Sequence, residues 1–177
     1  NGNEWIETQV CIAAIGHSAR DTFSMLKNHG IYMEAKSFAV GVRIEHPQKM
    51  INLSQYGQPK VKELGAASYK LTHQLENGRG IYSFCMCPGG YVVDASSEKG
   101  YLAVNGMSYQ ARDSRNANSA MIVTVSPQDY VTYGRKYLQQ MGEDALAAEL
   151  DRNPLAGVFF QRYLEQKAYQ LHEGRIP

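Results

Sequence analysis

The segment Gly80-Ile-Tyr-Ser-Phe-Cys-Met-Cys-Pro-Gly-Gly-Tyr-Val-Val-Asp-Ala95 decides the fold class. It holds two strand-sized runs rich in aromatic and β-branched residues, and the Pro-Gly-Gly between them favours a turn. Similar runs surround it, separated by clusters of Gly, Asn and Ser. The strands predicted in this region are residues 69–75, 80–87, 91–95, 101–105 and 120–125. Short strands repeated in this way predict an antiparallel meander.

Upstream, the apolar run at residues 9–15 predicts a buried strand, and Gly16 then opens a turn. A helix is expected to begin near Ser18, which can form a capping box with Asp21, and to stop at Gly30. This strand-turn-helix unit, residues 1–30, is predicted as one domain, and residues 31–177 as a second.

The second domain begins with a strand at residues 38–44, in which Phe38, Val40, Val42 and Ile44 alternate as a half-buried stripe and Arg43 faces the other way. Helical patterns follow at residues 47–56, 126–141, 143–150 and 154–172. The predicted class is therefore α+β, with a mainly antiparallel sheet flanked by helices and an N-terminal strand-turn-helix.

Charge and composition exclude several function classes. The 177 residues include 18 Lys and Arg against 17 Asp and Glu, a net charge of +1, which disfavours nucleic acid and anionic membranes as partners. The longest apolar run is far shorter than the roughly 20 residues of a membrane span. Three cysteines without framework spacing favour a reducing compartment, so we expect a cytoplasmic protein. The 12 tyrosines, without a basic groove beside them, are interpreted as packing residues rather than a nucleic-acid stacking platform.

Several stretches resemble a family of uncharacterised bacterial FAD-dependent dehydrogenases, also described as NAD(FAD)-utilizing dehydrogenases. They run in order from residue 14 to residue 157. They are Ala14-Ile-Gly-His-Ser-Ala-Arg-Asp-Thr-Phe23, Phe38-Ala-Val-Gly-Val-Arg-Ile-Glu-His-Pro47, Tyr82-Ser-Phe-Cys-Met-Cys-Pro-Gly-Gly-Tyr91, Asn105-Gly-Met-Ser-Tyr109, Ala111-Arg-Asp113, Asn116-Ala-Asn-Ser-Ala120 and Pro154-Leu-Ala-Gly157.

Members of that family are longer, and their dinucleotide-binding fingerprint lies upstream of the matching region. The resemblance implies that this chain is an internal part of such a protein. It would hold the end of a Rossmann-like FAD-binding half and the inserted domain that covers the flavin and shapes the substrate pocket. FAD is expected in the full-length protein and not in this fragment alone. The implied partners are the rest of the parent flavoprotein, a small-molecule substrate and NADH or NADPH as a candidate donor.

Two short turns are candidates for contacting the cofactor. Gly16, His17 and Ser18 lie where a predicted strand runs into a helix N-terminus, which suits an anionic group, although an ordinary capped turn explains them too. Gly89 and Gly90 form the second candidate, although a close backbone approach or a positive φ explains them better than a phosphate cradle.

The candidate catalytic residues are Cys85, Cys87 and His46. Residues i and i+2 of a strand project to one face, so the two thiols could share a pocket beside a flavin, or could be small buried apolar residues. A lone C-x-C pair lacks the second pair of a zinc site, and no metal site is predicted. His46 could move protons near neutral pH.

Substrate contacts are predicted on a strand end and a polar loop. Arg43 could hold an acidic substrate group or form a surface ion pair. Asn105, Tyr109, Arg112 and Asn118 lie in or beside the loop, whose Asn and Asp content is equally typical of a turn. The preferred hypothesis is the substrate-side domain of a flavin-dependent oxidoreductase, inactive when isolated. The alternative is a noncatalytic ligand- or protein-binding domain on a flavoprotein-like scaffold.

Overall fold

The computed structural model describes residues 4–60 and 62–173, and the chain divides into two compact units, Asn1–Met33 and Glu34–Pro177. In the first unit, residues 9–15 form no strand, and Val10 and Ile12 are 74% and 86% exposed. The strand prediction was wrong because a strand needs a neighbour for its N–H and C=O groups, and none of the described strands pairs with this segment.

Helix α1 of the first unit spans Arg20–Asn28, close to its prediction. Its N-cap is Ala19, and no side chain caps it, so the capping box expected from Ser18 and Asp21 does not form. Ser18 Oγ instead lies 3.2 Å from His17 Nε2. Gly30 follows the helix at φ +77°, as a C-terminal stop requires.

The second unit contains two antiparallel sheets. Strands β1 (Phe38–Pro47), β2 (Thr72–Gln74), β3 (Gly80–Cys87) and β6 (Asn116–Val125) form a four-stranded sheet in the order β1-β6-β3-β2. Strands β4 (Gly90–Asp94) and β5 (Val104–Ser108) form a separate pair. The predicted α+β class with an antiparallel sheet is confirmed. The strand order differs from a meander, because β6 lies between β1 and β3.

Strand β2 is shorter than the predicted 69–75, and β1 continues past the predicted residue 44 to Pro47. Two further boundaries differ from the sequence pattern for local reasons. Strand β5 starts at Val104 rather than at residue 101, because the Leu102 N–H donates to the Glu165 carbonyl at 3.0 Å. Strand β6 starts at Asn116 rather than at residue 120, because its polar first residues pair with the end of β1, where His46 lies opposite Ala117. The polar start of β6 therefore belongs to the sheet rather than to the predicted loop.

Helices lie at both ends of the main sheet, the first after the Pro47 end of β1 and the others toward its Phe38 end. They are α2 (Gln48–Tyr56), α3 (Pro127–Gln140), α4 (Asp144–Ala148), a 3-10 turn at Leu150–Arg152, and α5 (Ala156–Leu171). The predicted helical stretches are thus present. Across residues 4–60 and 62–173, no helix combines the length and the apolar character needed to cross a membrane.

Helix α3 is fixed at its start by charge and capping. Ser126 and Asp129 form a capping box, with Pro127 in the first turn. Arg79, from the turn between β2 and β3, donates to Asp129 Oδ1 at 2.6 Å. This hydrogen bond, together with the Ser126 N–H, lowers the pKa of Asp129 to about 2. The β2–β3 hairpin is thereby tied to the helical layer.

The core lies between helices α3, α4 and α5 and the Phe38 end of β1. Phe38 stacks on Tyr130 at 5.4 Å between ring centroids, and a Cβ at Gly157 would lie 2.9 Å from the Phe38 ring. Farther along β1 the predicted apolar stripe is not kept, since Val42 is 67% exposed while Arg43 is half-buried. Helices α3, α4 and α5 cover only the first part of β1. The second part of β1, which includes Arg43, lies at the candidate site.

Candidate functional site: the Cys87 cleft

A cleft of about 370 Å³ lies between the turn that follows β3 and the end of β5. It brings together three residues predicted from the sequence, namely Cys87, Tyr109 and Arg112. We call it the Cys87 cleft, and its lining residues are Met86, Cys87, Pro88, Gly106, Met107, Ser108, Tyr109, Gln110 and Arg112. Met107 and Tyr109 are 58% and 73% exposed, so the cleft presents apolar and aromatic surface to its surroundings.

Two more predicted residues, Arg43 and Asn118, lie directly behind Cys87. Arg43 Nη1, from β1, donates to the Asn118 side-chain oxygen and to the Cys85 carbonyl at 3.2 Å, and lies 3.8 Å from Cys87 Sγ. A Cβ at Gly106 would collide with both the Arg43 guanidinium and the Asn118 amide. A glycine on β5 is therefore what lets this pair lie under the cleft.

Asn118 carries a second, unusual feature. The residue is 0% exposed, and its Nδ2 has no hydrogen-bond partner among the described residues. An unpaired buried amide costs about 1–3 kcal/mol, and native proteins contain few of them. Such a group beside the cleft is compatible with a functional role for Asn118.

The two cysteines do not follow simple strand alternation. The pairing of β3 with β6 shifts between Phe84 and Cys87, which lie opposite Ala120 and Asn118, and Cys85 in this bulge has φ +44°. The expectation that both thiols project to one face because they are two residues apart was therefore wrong. Cys87 lines the cleft. Cys85 contributes its carbonyl, which accepts hydrogen bonds from Arg43 and from the Cys87 thiol at 3.3 Å.

The two glycines after Cys87 permit close backbone contact. Gly89 has φ +56°, and a Cβ there would collide with the carbonyl of Arg112, which itself has φ +51°. A Cβ at Gly90 would collide with the Met107 carbonyl. The Gly89 N–H donates to Gln48 Oε1 at 2.7 Å, so it is already used within the protein. The geometry agrees with the close-approach interpretation of these glycines.

Sequence reasoning missed a buried amide pair on α2. Gln48 and Asn52 are 6% and 8% exposed, and Gln48 Nε2 donates to Asn52 Oδ1 and to the Ala67 carbonyl, both at 2.8 Å. Their separation of four residues places them on one helix face. The four-residue spacing could have suggested that the two side chains interact, but it does not reveal that this face of α2 is buried.

The remaining predicted residues lie elsewhere. His46 is on the face of β1 opposite to Arg43, with its Nε2 2.8 Å from the Tyr69 hydroxyl, and does not line the cleft. Asn105 is exposed on β5 and accepts a hydrogen bond from the Gly106 N–H. Gly16, His17 and Ser18 belong to the first unit.

Among the described residues, Arg43 forms none of the ion pairs considered for it. The neighbouring carboxylate, Glu45, accepts hydrogen bonds from the Val92 N–H at 2.7 Å and from the Asn116 amide at 2.6 Å. Arg43 instead contacts neutral groups, namely the Cys85 carbonyl and the Asn118 side-chain oxygen. Arg43 and Glu45 therefore lie in the same strand without forming an ion pair. Within residues 4–60 and 62–173, no three His, Cys, Asp or Glu side chains gather as a metal site.

Comparison with known proteins places the chain in a FAD-dependent family. Residues 37–177 match the model of the family described as FAD-dependent protein, C-terminal domain-like, and the chain belongs to that family. The chain is also 49% identical over 174 residues to an uncharacterized protein from Clostridium beijerinckii. That match covers 96% of this chain and 28% of the relative, so the chain spans less than a third of the relative's length.

The family implies FAD in the parent protein, and the Cys87 cleft partly fits that group. The exposed Met107 and Tyr109 side chains offer an apolar, aromatic surface of the kind that packs against a flat ring, with Arg112 at the same cleft. The Gly16 turn is a weaker candidate for contacting FAD, because the strand expected before it is not formed. Met107 and Tyr109 are thus the residues that would hold the ring from this side.

Proposed function

We propose that this chain is the substrate-side domain of a flavin-dependent oxidoreductase, and that the Cys87 cleft lies between the flavin and a small substrate. The observation that carries the proposal is the meeting of Cys87, Tyr109 and Arg112 in one cleft, with Arg43 3.8 Å from the Cys87 sulfur. Strands β1 and β3 and the loop after β5 supply these side chains, so the fold assembles them from distant parts of the sequence.

Each residue has a distinct role in the proposal. Arg112 orients an acidic group of the substrate, because a guanidinium binds a carboxylate through two parallel hydrogen bonds. Cys87 is the proton donor or acceptor, and Arg43 is a positioning residue that holds the Cys87 segment against Asn118. Met107 and Tyr109 exclude water. FAD, when bound, supplies the acceptor for a hydride.

The other two catalytic candidates fit the cleft less well. His46 lies on the opposite face of the sheet, bonded to Tyr69, and Cys85 does not line the cleft. The proposal therefore centres on Cys87. NADH and NADPH remain the candidate electron donors implied by the resemblance.

Replacing Tyr109 with leucine in the full-length parent protein tests the flavin contact. Aromatic stacking contributes about 0.5–1.5 kcal/mol, so we expect FAD to bind about twofold to tenfold more weakly. The bound flavin should also fluoresce more brightly. A fluorescence titration of the apoprotein with FAD measures both. Tyr169→Leu, on α5 and outside the cleft, is the matched control and should change neither.

Equal FAD affinity and equal flavin fluorescence in the Tyr109 and Tyr169 variants would show that the flavin does not contact this cleft.

A second candidate function, a noncatalytic docking domain, is favoured by the exposed apolar side chains of Val42 and Phe84, which are 67% and 55% exposed. A full-length protein that never takes up flavin would support that second candidate.

A further inference from the structure

A second cavity, of about 450 Å³, lies between α2, the segment that follows it and the loop before β6. Its lining concentrates positive charge. We call it the basic cleft, and its charged residues are Lys49, Lys60, Lys62, Arg112, Arg115 and Asp113. Five cations and one carboxylate thus face one cavity in a chain whose net charge is only +1, so acidic residues outnumber basic ones in the rest of the sequence.

In the part of the chain that the structure describes, the cations of the basic cleft are not paired with acidic side chains. Among the ion pairs formed within residues 4–60 and 62–173, none includes any of the five. Lys49, Arg112 and Arg115 are all exposed. Like charges around one cavity repel one another, and a bound anion would turn that repulsion into attraction.

Both walls of the basic cleft are fixed by the buried Gln48–Asn52 pair. Asn52 Nδ2 donates to the Pro59 carbonyl at 2.9 Å, and Asn52 Oδ1 accepts from the Ala67 N–H at 2.9 Å, which anchors the segment after α2. On the other wall, the Gln48 N–H donates to the Arg115 carbonyl at 2.9 Å. A framework held in this way lowers the ordering cost of binding a ligand.

We propose that the basic cleft binds the phosphate or diphosphate group of a small ligand. Arg115 supplies a guanidinium group that matches phosphate oxygens in pairs, the lysines supply point charges around it, and Arg112, which is assigned to the Cys87 cleft, adds only its positive charge. The diphosphate could belong to a dinucleotide, such as FAD or NADPH, or to a free phosphorylated molecule. This site goes beyond the proposed function, since it recognises an anion and needs no flavin ring.

Isothermal titration of the 177-residue chain with sodium pyrophosphate tests the site. We expect saturable binding with one pyrophosphate per chain, weakened at least about tenfold in the double variant Lys49→Gln/Arg115→Gln, because charged hydrogen bonds are among the stronger ones. The control is Lys99→Gln/Arg152→Gln, which removes the same charge from exposed positions outside the cleft and should stay within about twofold.

Absence of pyrophosphate binding, or equal weakening in the two double variants, would overturn the proposal. Competition then identifies the source of the diphosphate. Displacement of pyrophosphate by FAD or NADPH assigns the cleft to a dinucleotide, and binding that neither displaces assigns it to a free phosphorylated molecule. Pyrophosphate has no ring, and the titrated variants leave Arg112 and Tyr109 unchanged. A failure of the phosphate proposal can therefore be told apart from a failure of the flavin contact that the Tyr109 variant tests.

Discussion

Replacement of Gly89 by alanine should destabilise the chain by about 2–5 kcal/mol, adding a left-handed backbone penalty of about 1–2 kcal/mol to an overpacking cost of about 1–3 kcal/mol. The new Cβ would collide with the Arg112 carbonyl. A backbone atom cannot swing aside as the end of a flexible side chain can. Urea denaturation monitored by circular dichroism measures the change in the free energy of unfolding.

Gly78→Ala is the matched control for Gly89→Ala. Gly78 also has a positive φ, +80°, but no atom lies within 4 Å of the position that its Cβ would occupy, and the residue is exposed. It should therefore cost only the backbone penalty of about 1–2 kcal/mol. Equal losses in the two variants would mean that the contact between Gly89 and Arg112 does not constrain the Cys87 cleft.

Replacement of Gln48 by methionine should cost about 2–6 kcal/mol, although the side-chain volume is nearly kept. The change leaves the Gly89 N–H and the Ala67 carbonyl without their partners, and each unsatisfied buried group costs about 1–3 kcal/mol. The same urea denaturation measures this change in the free energy of unfolding. Gln140→Met, at an exposed position of α3, is the control and should stay within about 0.5 kcal/mol.

A second variant, Gln48→Glu, separates the hydrogen bonds from the packing. The carboxylate can still accept from the Gly89 N–H but faces the Asn52 and Ala67 oxygens, which are acceptors. Burial and these acceptors raise the folded-state pKa of the introduced carboxyl above the ordinary value of about 4.3. The variant should therefore be most stable below about pH 4 and lose stability as the pH rises, relative to the wild type. A pH-independent difference would count against the assigned hydrogen bonds.

Most elements of the fold could be predicted because their signals are local. Strand β3 begins and ends where the pattern places it, and Ser126 with Pro127 marks the start of α3. The strand at residues 9–15 could not be judged in this way, since an apolar run does not reveal whether a partner strand lies beside it. The position of β6 between β1 and β3 likewise depends on contacts between residues far apart in sequence.

The candidate site was predicted in part. The C-x-C spacing singled out Cys87, the resemblance favoured Tyr109 and Arg112, and the fold brings the three to one cleft. The bulge at Cys85 could not be predicted, because no Gly or Pro marks it and its positive φ arises in a cysteine. The burial of Gln48 and Asn52 depends on the loops that cover α2, so an isolated helix pattern could not show it.

Anaerobic reduction of the flavin in the full-length parent protein by small carboxylate-bearing substrates tests the Cys87 proposal most directly, because a substrate that passes a hydride to the flavin must also give up a proton to a base, whereas NADH and NADPH need none. The flavin absorbance is followed in the wild type and in the Cys85→Ala/Cys87→Ala double variant, with Cys11→Ala as the control in the other unit. A well-placed acid or base contributes about a hundredfold or more to a rate. We expect the wild type and the Cys11 variant to be reduced at the same rate and the double variant at least about a hundredfold more slowly. Equal rates in all three proteins would contradict the proposal and leave both cysteines structural.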